Sequence, residues 1–572
     1  MRHQASWSIS RGCALFFAIA ALSCTHSPLE KSKSPSDSQE TARDVAPRSK
    51  PEVLHALRQD PAATTFDSGA WSTAVGLGGG SGGRLGGRAP APAEERERST
   101  ASYSHVRENP FLAVKDAPLS TFSVDVDTAS YANVRRFLNE GQLPPSGAVR
   151  IEEMLNYFRY DYPNAPTHVP FSVSTEVGAC PWNPGHRLVL VGLRGRELED
   201  RLLPPRNLTF LLDVSGSMSP ANRLPLVKQA MKLLVRQLRA QDHVAIVTYA
   251  GASGLALEPT SGQEQGRILA ALEELRAEGS TNGASGIRLA YEVTKKHFDK
   301  EGINRVILAT DGDFNVGTTS ESELVQLIEA QRKTGVYLTV LGVGDDNLKD
   351  SAMKQLSVHG NGNYAYLDSV HEASKVLVRE AGSTLVTIAK DVKLQIEFNP
   401  ARVQSYRLIG YENRILAAKD FNDDQKDAGE IGAGHTVTAL YEIVPSGVAA
   451  PASSVDPLQY QEPGALTARG HSDEILTLKL RYKEPDSEAS KLITTVVRDG
   501  GSQDSGTKNL RLASALASFG MLLADSEHKG TSSHALVVEL LTGLVASDHG
   551  ERAELLGLVR RAAQLTKTSG TR

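Results

Sequence analysis

Phe210-Leu211-Leu212-Asp213-Val214-Ser215-Gly216-Ser217-Met218 joins an apolar run to a carboxylate and two hydroxyls at alternating positions. A strand that stops on D-x-S-x-S places three oxygen donors on one tight loop, the arrangement a hard divalent cation needs. Outward from it, apolar runs at Leu208–Leu212, Val244–Tyr249, Arg305–Ala309 and Tyr337–Val343 predict strands. Helices alternate with them, such as one over Pro220–Ala240 with Leu224, Val227, Met231, Leu234 and Leu238 on one face. Continuous apolar strands alternating with amphipathic helices imply a parallel sheet covered on both sides. Ligands of such sheets bind at the carboxyl ends of the strands, where Asp213 stands. Gly279-Ser280-Thr281-Asn282-Gly283 precedes a helix, and Thr310-Asp311-Gly312-Asp313 follows a strand, so both can reach the same edge.

Asp213, Ser215 and Ser217, then Thr281 in G-S-T-N, then Asp311 in T-D-G resemble the metal-ion-dependent adhesion site of von Willebrand factor type A domains. The resemblance implies a Rossmann-like doubly wound domain that holds Mg2+, with Mn2+ or Ca2+ as alternatives. It also implies roles: Ser215, Ser217 and Thr281 bind the metal directly, and Asp213 and Asp311 act largely through water. Neutral hydroxyls leave such a cation incompletely neutralised, so it seeks one more anionic oxygen. An Asp or Glu of a partner protein is the implied occupant, and no bond is made or broken. Phe122-Ser123-Val124-Asp125-Val126-Asp127-Thr128-Ala129-Ser130-Tyr131-Ala132-Asn133 and Thr310-Asp311-Gly312-Asp313-Phe314-Asn315-Val316-Gly317 further resemble a bacterial subfamily of exported YfbK-type proteins. That likeness covers nearly everything after residue 104.

Arg2 and Arg11 precede an apolar run from Cys13 to Leu22 and then Ser23-Cys24, the pattern of a secretory signal over residues 1–23. The run is too short for an ordinary membrane span. Ala21-Leu22-Ser23-Cys24 resembles a lipoprotein box, which implies lipidation at Cys24 and a membrane anchor in the cell envelope, with the outer membrane preferred; the alternative is ordinary cleavage after Ser23, leaving a periplasmic or secreted protein. Residues 24–104 are rich in Ser, Pro, Gly, Ala and charge and read as a disordered tether. Of three cysteines only Cys180 falls in the body of the chain, so no disulfide is expected within the mature protein. Acidic and basic residues nearly balance, at 67 and 62, which argues against a dedicated nucleic-acid binder.

The flanks of the α/β unit have antiparallel character. Residues 105–206 should hold strands at Ser120–Val126, Phe171–Val177 and Arg187–Leu193, with helices over Ala129–Glu140 and Glu152–Phe158. Residues 386–572 should hold strands at Val392–Phe398, His435–Ile443, Ile475–Tyr482 and Lys491–Val497, closed by helices over Asn509–Leu523 and Ser533–Leu544. The expected fold is thus an α/β domain over 207–385 inserted between flanking β-rich α+β segments, whose strands can pack together into one body. A last domain helix around His371–Leu385 leads into the carboxy-terminal flank, so metal occupancy could bias domain placement.

Other motifs carry rival readings. Asp125 and Asp127 in D-x-D-x-T, with Asp345-Asp346 later, resemble haloacid-dehalogenase phosphatases, in which Asp125 would be nucleophile and Asp127 acid/base. Against that, no Gly-rich turn follows Asp127; the bland role of both carboxylates is to cap the next helix. Asp311-Gly312-Asp313-Phe314-Asn315 hints at a calcium loop, but Val316 and Ser322 stand where Gly and the bidentate Glu are needed. A third reading keeps the metal only as a stabiliser of a structural domain. Neither a small-molecule substrate nor zinc chemistry is expected, and His435, His471, Trp182, Asn207, Lys295-Lys296-His297 and Arg560-Arg561 read as ordinary core, turn or surface residues.

Overall fold

A computed structural model describes residues 103–104, 106–199, 203–280, 283–312, 321–345, 348–379, 386–426, 428–448, 466–499, 506–545 and 550–569. The candidate signal, Cys24 and nearly all of the tether lie outside the described residues. Among the described residues no helix is long and apolar enough to cross a membrane.

The amino-terminal flank supplies β1 (Leu112–Ala113), β2 (Leu119–Ser123), α1 (Ala129–Asn139), α2 (Ile151–Tyr157), β3 (Phe171–Ala179) and β4 (Arg187–Gly195). The α/β unit follows with β5 (Arg206–Asp213), α3 (Leu224–Val235), β6 (His243–Tyr249), β7 (Ser253–Ser261), α4 (Gln265–Glu274), α5 (Gly283–Lys296), β8 (Ile303–Thr310), α6 (Glu321–Arg332), β9 (Val336–Gly342), α7 (Asp350–His359), β10 (Tyr364–Tyr366) and α8 (Val370–Ser374). The carboxy-terminal flank adds β11 (Thr387–Phe398), β12 (Val403–Ile409), β13 (Gly429–Gly432), β14 (Thr436–Pro445), β15 (Glu474–Lys483), β16 (Ser490–Arg498), α9 (Lys508–Ala524), α10 (His534–Leu541) and α11 (Glu551–Ser569).

In the α/β unit the strand order is β10-β9-β8-β5-β6-β7, with β5 between β8 and β6. All pairings are parallel except that of β6 with β7. Both faces of β5 are buried. Leu208, Phe210 and Leu212 pack with Leu224, Val227 and Leu234 of α3, while Leu211 packs with Ile287 and Tyr291 of α5. Strand alternation thus feeds two helical layers from one apolar run, which is why this strand reads as continuously hydrophobic.

The flanks build one body. One antiparallel sheet runs β1-β12-β14-β4-β3 and mixes strands from both ends of the chain. In the other, β11 takes β2 on one side and β15 on the other. Val189, Val191 and Leu193 of β4 face the second sheet, in a core shared with Val437, Tyr441, Leu394 and Leu478. Leu188 and Leu190 face the opposite way, into a helical layer with Tyr131, Leu155, Phe519, Val537 and Val559. Gly192 lies on that helical side, where a Cβ would collide with the Tyr162 ring. The body is therefore sheet on sheet on helices.

Buried charge joins the body to the α/β unit. Arg135 of α1 is 2% exposed and contacts Asp368 through two bonds of 2.6 Å, Glu372 at 2.7 Å and Glu554 at 3.1 Å. Burial opposes its charge, yet Asp368, Tyr157 and Glu372 hold the guanidinium above its ordinary value. Arg150 pairs with Asp350 at 2.5 Å, and Lys354 with Glu153 at 2.7 Å.

Several elements differ from expectation. The helix after β5 is shorter than Pro220–Ala240 at both ends: it starts at Leu224, after the loop to Arg223, and stops at Val235. The antiparallel edge strand β7 was missed: only two of its nine residues are buried, and its one apolar run is the short Leu255-Ala256-Leu257. The short or mixed strands β10, β12 and β13 also lack a clear period. Two helices do not close the chain; α11 does, burying Leu555, Leu558, Val559 and Ala562 beneath a charged face. In place of one helix over His371–Leu385, α8 passes into a π-helical turn at Lys375–Arg379, and 380–385 lie outside the described residues. Asp125 and Asp127 do not cap α1. Asp127 accepts from the Tyr364 backbone at 2.9 Å, and Glu153 takes the Ser130 N–H at 2.9 Å instead.

Arg135→Met leaves Asp368 and Glu372 buried without their cation and should cost about 3–5 kcal/mol, read as a lower Tm. Glu554→Gln, at a 38% exposed partner, should cost under about 1 kcal/mol. A second expectation concerns Asp242, which accepts hydrogen bonds from Arg206 and Arg239. Burial raises its pKa, but those bonds outweigh it and bring the carboxyl down to about 2. A depressed folded-state value means stabilisation that is full above about pH 4 and lost as pH falls toward 2, on the order of 2 kcal/mol. Thermal melts across that window should fall more steeply for wild type than for Asp242→Asn.

Candidate metal site at the carboxyl edge of the parallel sheet

β5 and β8 are neighbours in parallel register, so Asp213 at the end of one strand and Asp311 just past the end of the other reach the same edge. Both are fully buried. The Asp213 carboxylate accepts from the Ser215 N–H at 2.9 Å, the Tyr249 hydroxyl at 3.1 Å and the Thr310 hydroxyl at 3.3 Å. Burial pushes its pKa up from the ordinary value, the Ser215 bonds oppose that, and the Asp311 charge adds to it. With Asp213 so engaged, the loop that follows is turned into a fixed cradle.

The Ser215 and Ser217 hydroxyl oxygens lie 3.0 Å apart. Two adjacent oxygens of an octahedron with metal–ligand distances of about 2.0–2.1 Å are separated by about 2.9 Å. The two hydroxyls are hydrogen-bonded to each other, at a separation that two neighbouring ligands of Mg2+ would also have. Ser215 is buried and Ser217 half-buried, with exposed Gly216 between them, so the pair sits at the surface end of the loop.

A second loop is tied alongside. Gly216 N–H donates to Gly279 O at 3.0 Å, and Glu278 N–H to Val214 O at 2.7 Å. Gly279 has φ +89°, a conformation that favours glycine and turns the chain toward Ser280. Thr281 itself lies outside the described residues, as do Asp313 and Asn315. Of the five expected ligands, the structure brings Asp213, Ser215, Ser217 and Asp311 to one edge, and the fifth lies outside the described residues. Among the described residues no group of three or more His, Cys, Asp or Glu side chains could hold a metal.

Sequence reasoning missed Arg223. Its guanidinium NH1 donates to Ser217 O at 2.6 Å and to Asp311 Oδ2 at 2.8 Å. The residue lies six positions past Ser217 and directly before α3, and no short motif marks it.

The remaining motifs have structural partners. Asp125 pairs with Arg414 and accepts from Ser123 at 2.6 Å; Asp127 pairs with Arg414 at 3.4 Å and Lys354 at 3.7 Å. Asp345 accepts from Asn222 at 3.3 Å, and Asp346 lies outside the described residues. Asn207 is buried and donates to Thr294 O, His297 O and Asn304. Trp182 donates to Glu442 at 3.2 Å in the helical-layer core. Burial lowers the His435 imidazole to about 4, and His471 is exposed.

Comparison with known proteins gives the family of the chain. The YfbK carboxy-terminal family matches residues 383–565, a von Willebrand factor family residues 97–190, and the von Willebrand factor type A domain residues 208–313. The uncharacterized protein YfbK of Escherichia coli (strain K12) is 43% identical over 478 residues, which span 82% of this chain and 82% of that one. Inter-alpha-trypsin inhibitor heavy chain H2 of Homo sapiens is 27% identical over 172 residues, 28% of this chain and 18% of its own length. The solved structure of a von Willebrand factor type A protein from Catenulispora acidiphila aligns with a TM-score of 0.39 and 14% identity, covering 68% of this chain and 89% of that one. With 43% identity extending over 82% of both chains, this chain belongs to the YfbK family of von Willebrand factor type A domain proteins.

Proposed function

We propose that the chain is a protein-binding component of the bacterial cell envelope whose type A domain uses a divalent cation to recognise an acidic side chain. A von Willebrand factor type A domain in a YfbK relative supports protein interaction as the broad role. The observation that carries the finer reading is the 3.0 Å hydroxyl pair of Ser215 and Ser217 beside two buried carboxylates. In this reading Ser215, Ser217 and Thr281 bind Mg2+, or Mn2+ or Ca2+ in its place, and Asp213 and Asp311 act through water. The cation supplies one thing when bound: a Lewis-acidic position that an Asp or Glu of the partner completes. The protein's own part is to hold the oxygens in place, through the Tyr249, Thr310 and Ser215 bonds to Asp213. The reading is one of binding without catalysis, with neither nucleic acid nor a small-molecule substrate.

The envelope setting rests on the sequence of residues 1–24, read as a signal with Cys24 as the lipidated residue, and on the tether that follows. Such an arrangement holds the binding edge away from the membrane while leaving it tethered.

Calorimetric titration of the purified protein should find one Mg2+ site per chain. Asp213→Ala should weaken it by about 10–100-fold, as loss of a group that orients direct ligands does, with circular dichroism unchanged. From envelope extract, wild type should retain partner proteins in Mg2+ and release them in EDTA. Identical recovery with and without EDTA, and with Asp213→Ala, would sink the metal-dependent reading and leave a structural domain.

A further inference from the structure

Arg223 is 4% exposed and is bonded on both sides of the candidate site, to the Ser217 backbone at 2.6 Å and to Asp311 at 2.8 Å. Its position is built into the fold. Gly344 has φ +78°, a conformation that favours glycine, and a Cβ there would stand 2.5 Å from the Arg223 Nε, so a larger residue would have to displace the guanidinium. Gly344 is itself held: its N–H donates to Asn222 O at 3.3 Å, and its carbonyl accepts from the Tyr366 hydroxyl at 2.7 Å. Loops after β9 and before α3 thus close around one arginine.

Two carboxylates fully buried at one sheet edge need compensating charge, since an unpaired buried ion is strongly unfavourable. Arg223 places a positive charge directly against Asp311, so a divalent cation entering beside it meets a like charge that the same site without Arg223 would lack. Asp345, bonded to Asn222 next to Arg223, adds a further carboxylate on this side of the site.

We propose that Arg223 is a resident counter-ion that stands in for the metal at Asp311, lowering the site's affinity for the cation. The inference rests on the metal-site reading above. It makes Arg223 a positioning and charge-setting residue rather than a ligand. The guanidinium keeps Asp311 and the Ser217 backbone in place before metal arrives and then competes with it electrostatically.

The test is Mg2+ calorimetry and thermal melting of wild type, Arg223→Gln and Arg223→Lys. Arg223→Gln should bind Mg2+ about tenfold more tightly, the direction set by removing a like charge from the site. It should also melt at a lower temperature than wild type in EDTA, with that deficit recovered in saturating Mg2+. Arg223→Lys, which keeps the charge, should bind within about threefold of wild type. A folded Arg223→Gln with unchanged or weaker Mg2+ affinity overturns the inference while the metal site stands. So does a melting deficit that saturating Mg2+ does not recover, because it marks a purely structural arginine. Absence of Mg2+ binding to wild type overturns the metal-site reading and the inference with it.

Discussion

The pairing of β4 with β14 is the constraint on which the rest depends. Eight residues of each strand match, from Arg194 with Thr436 to Arg187 with Ile443, and they bring the two flanks of the α/β unit into one sheet. The alternation of β4 then has two destinations, the second sheet for Val189 and Val191 and the helical layer for Leu188 and Leu190. A one-residue slip would exchange the two sets and put Gly192, which makes room for Tyr162, on the wrong face. The α/β unit leaves and re-enters a body that this register closes, so the amino-terminal strands cannot complete their sheet until residues beyond the α/β unit arrive. Such long-range pairing is slow to form and strongly specified once made.

The junction between body and α/β unit is specified by charge as well as by apolar contact. Arg135, Arg150 and Lys354 meet Asp368, Asp350 and Glu153 in places with almost no access to water. The desolvation cost of such pairs offsets much of their attraction, so their main effect is to penalise every other placement. β10 touches both regions. Tyr366 reaches the Gly344 carbonyl beside Arg223, and Asp368, two residues on, grips Arg135. The candidate site and the domain junction are therefore parts of one contiguous set of packed groups.

Much of the α/β unit was legible because its signals are local. Buried parallel strands are continuous apolar runs, and D-x-S-x-S is a single loop, so neighbouring residues suffice to recognise them. What escaped notice has nonlocal support. The edge strand β7 has only a short apolar run of its own, and α11 gains its stability from the layer it covers. Asp127 looked like a helix cap because the helix follows it directly; its backbone partner, Tyr364, is 237 positions away. Arg223 was silent for the same reason, since its carboxylate partner is 88 positions downstream.

The sequence by itself determined the alternation of strands and helices and the carboxylate with its hydroxyls that ends β5, because periods and loop motifs are properties of adjacent residues. It also carried the resemblance that named the domain type. Only the tertiary structure decided that the flanks form one body, that the Ser215 and Ser217 oxygens stand 3.0 Å apart, and that an arginine lies against Asp311. Those facts join residues as distant as Tyr162 and Thr438, 276 positions apart, and only packing can rank such contacts against their alternatives.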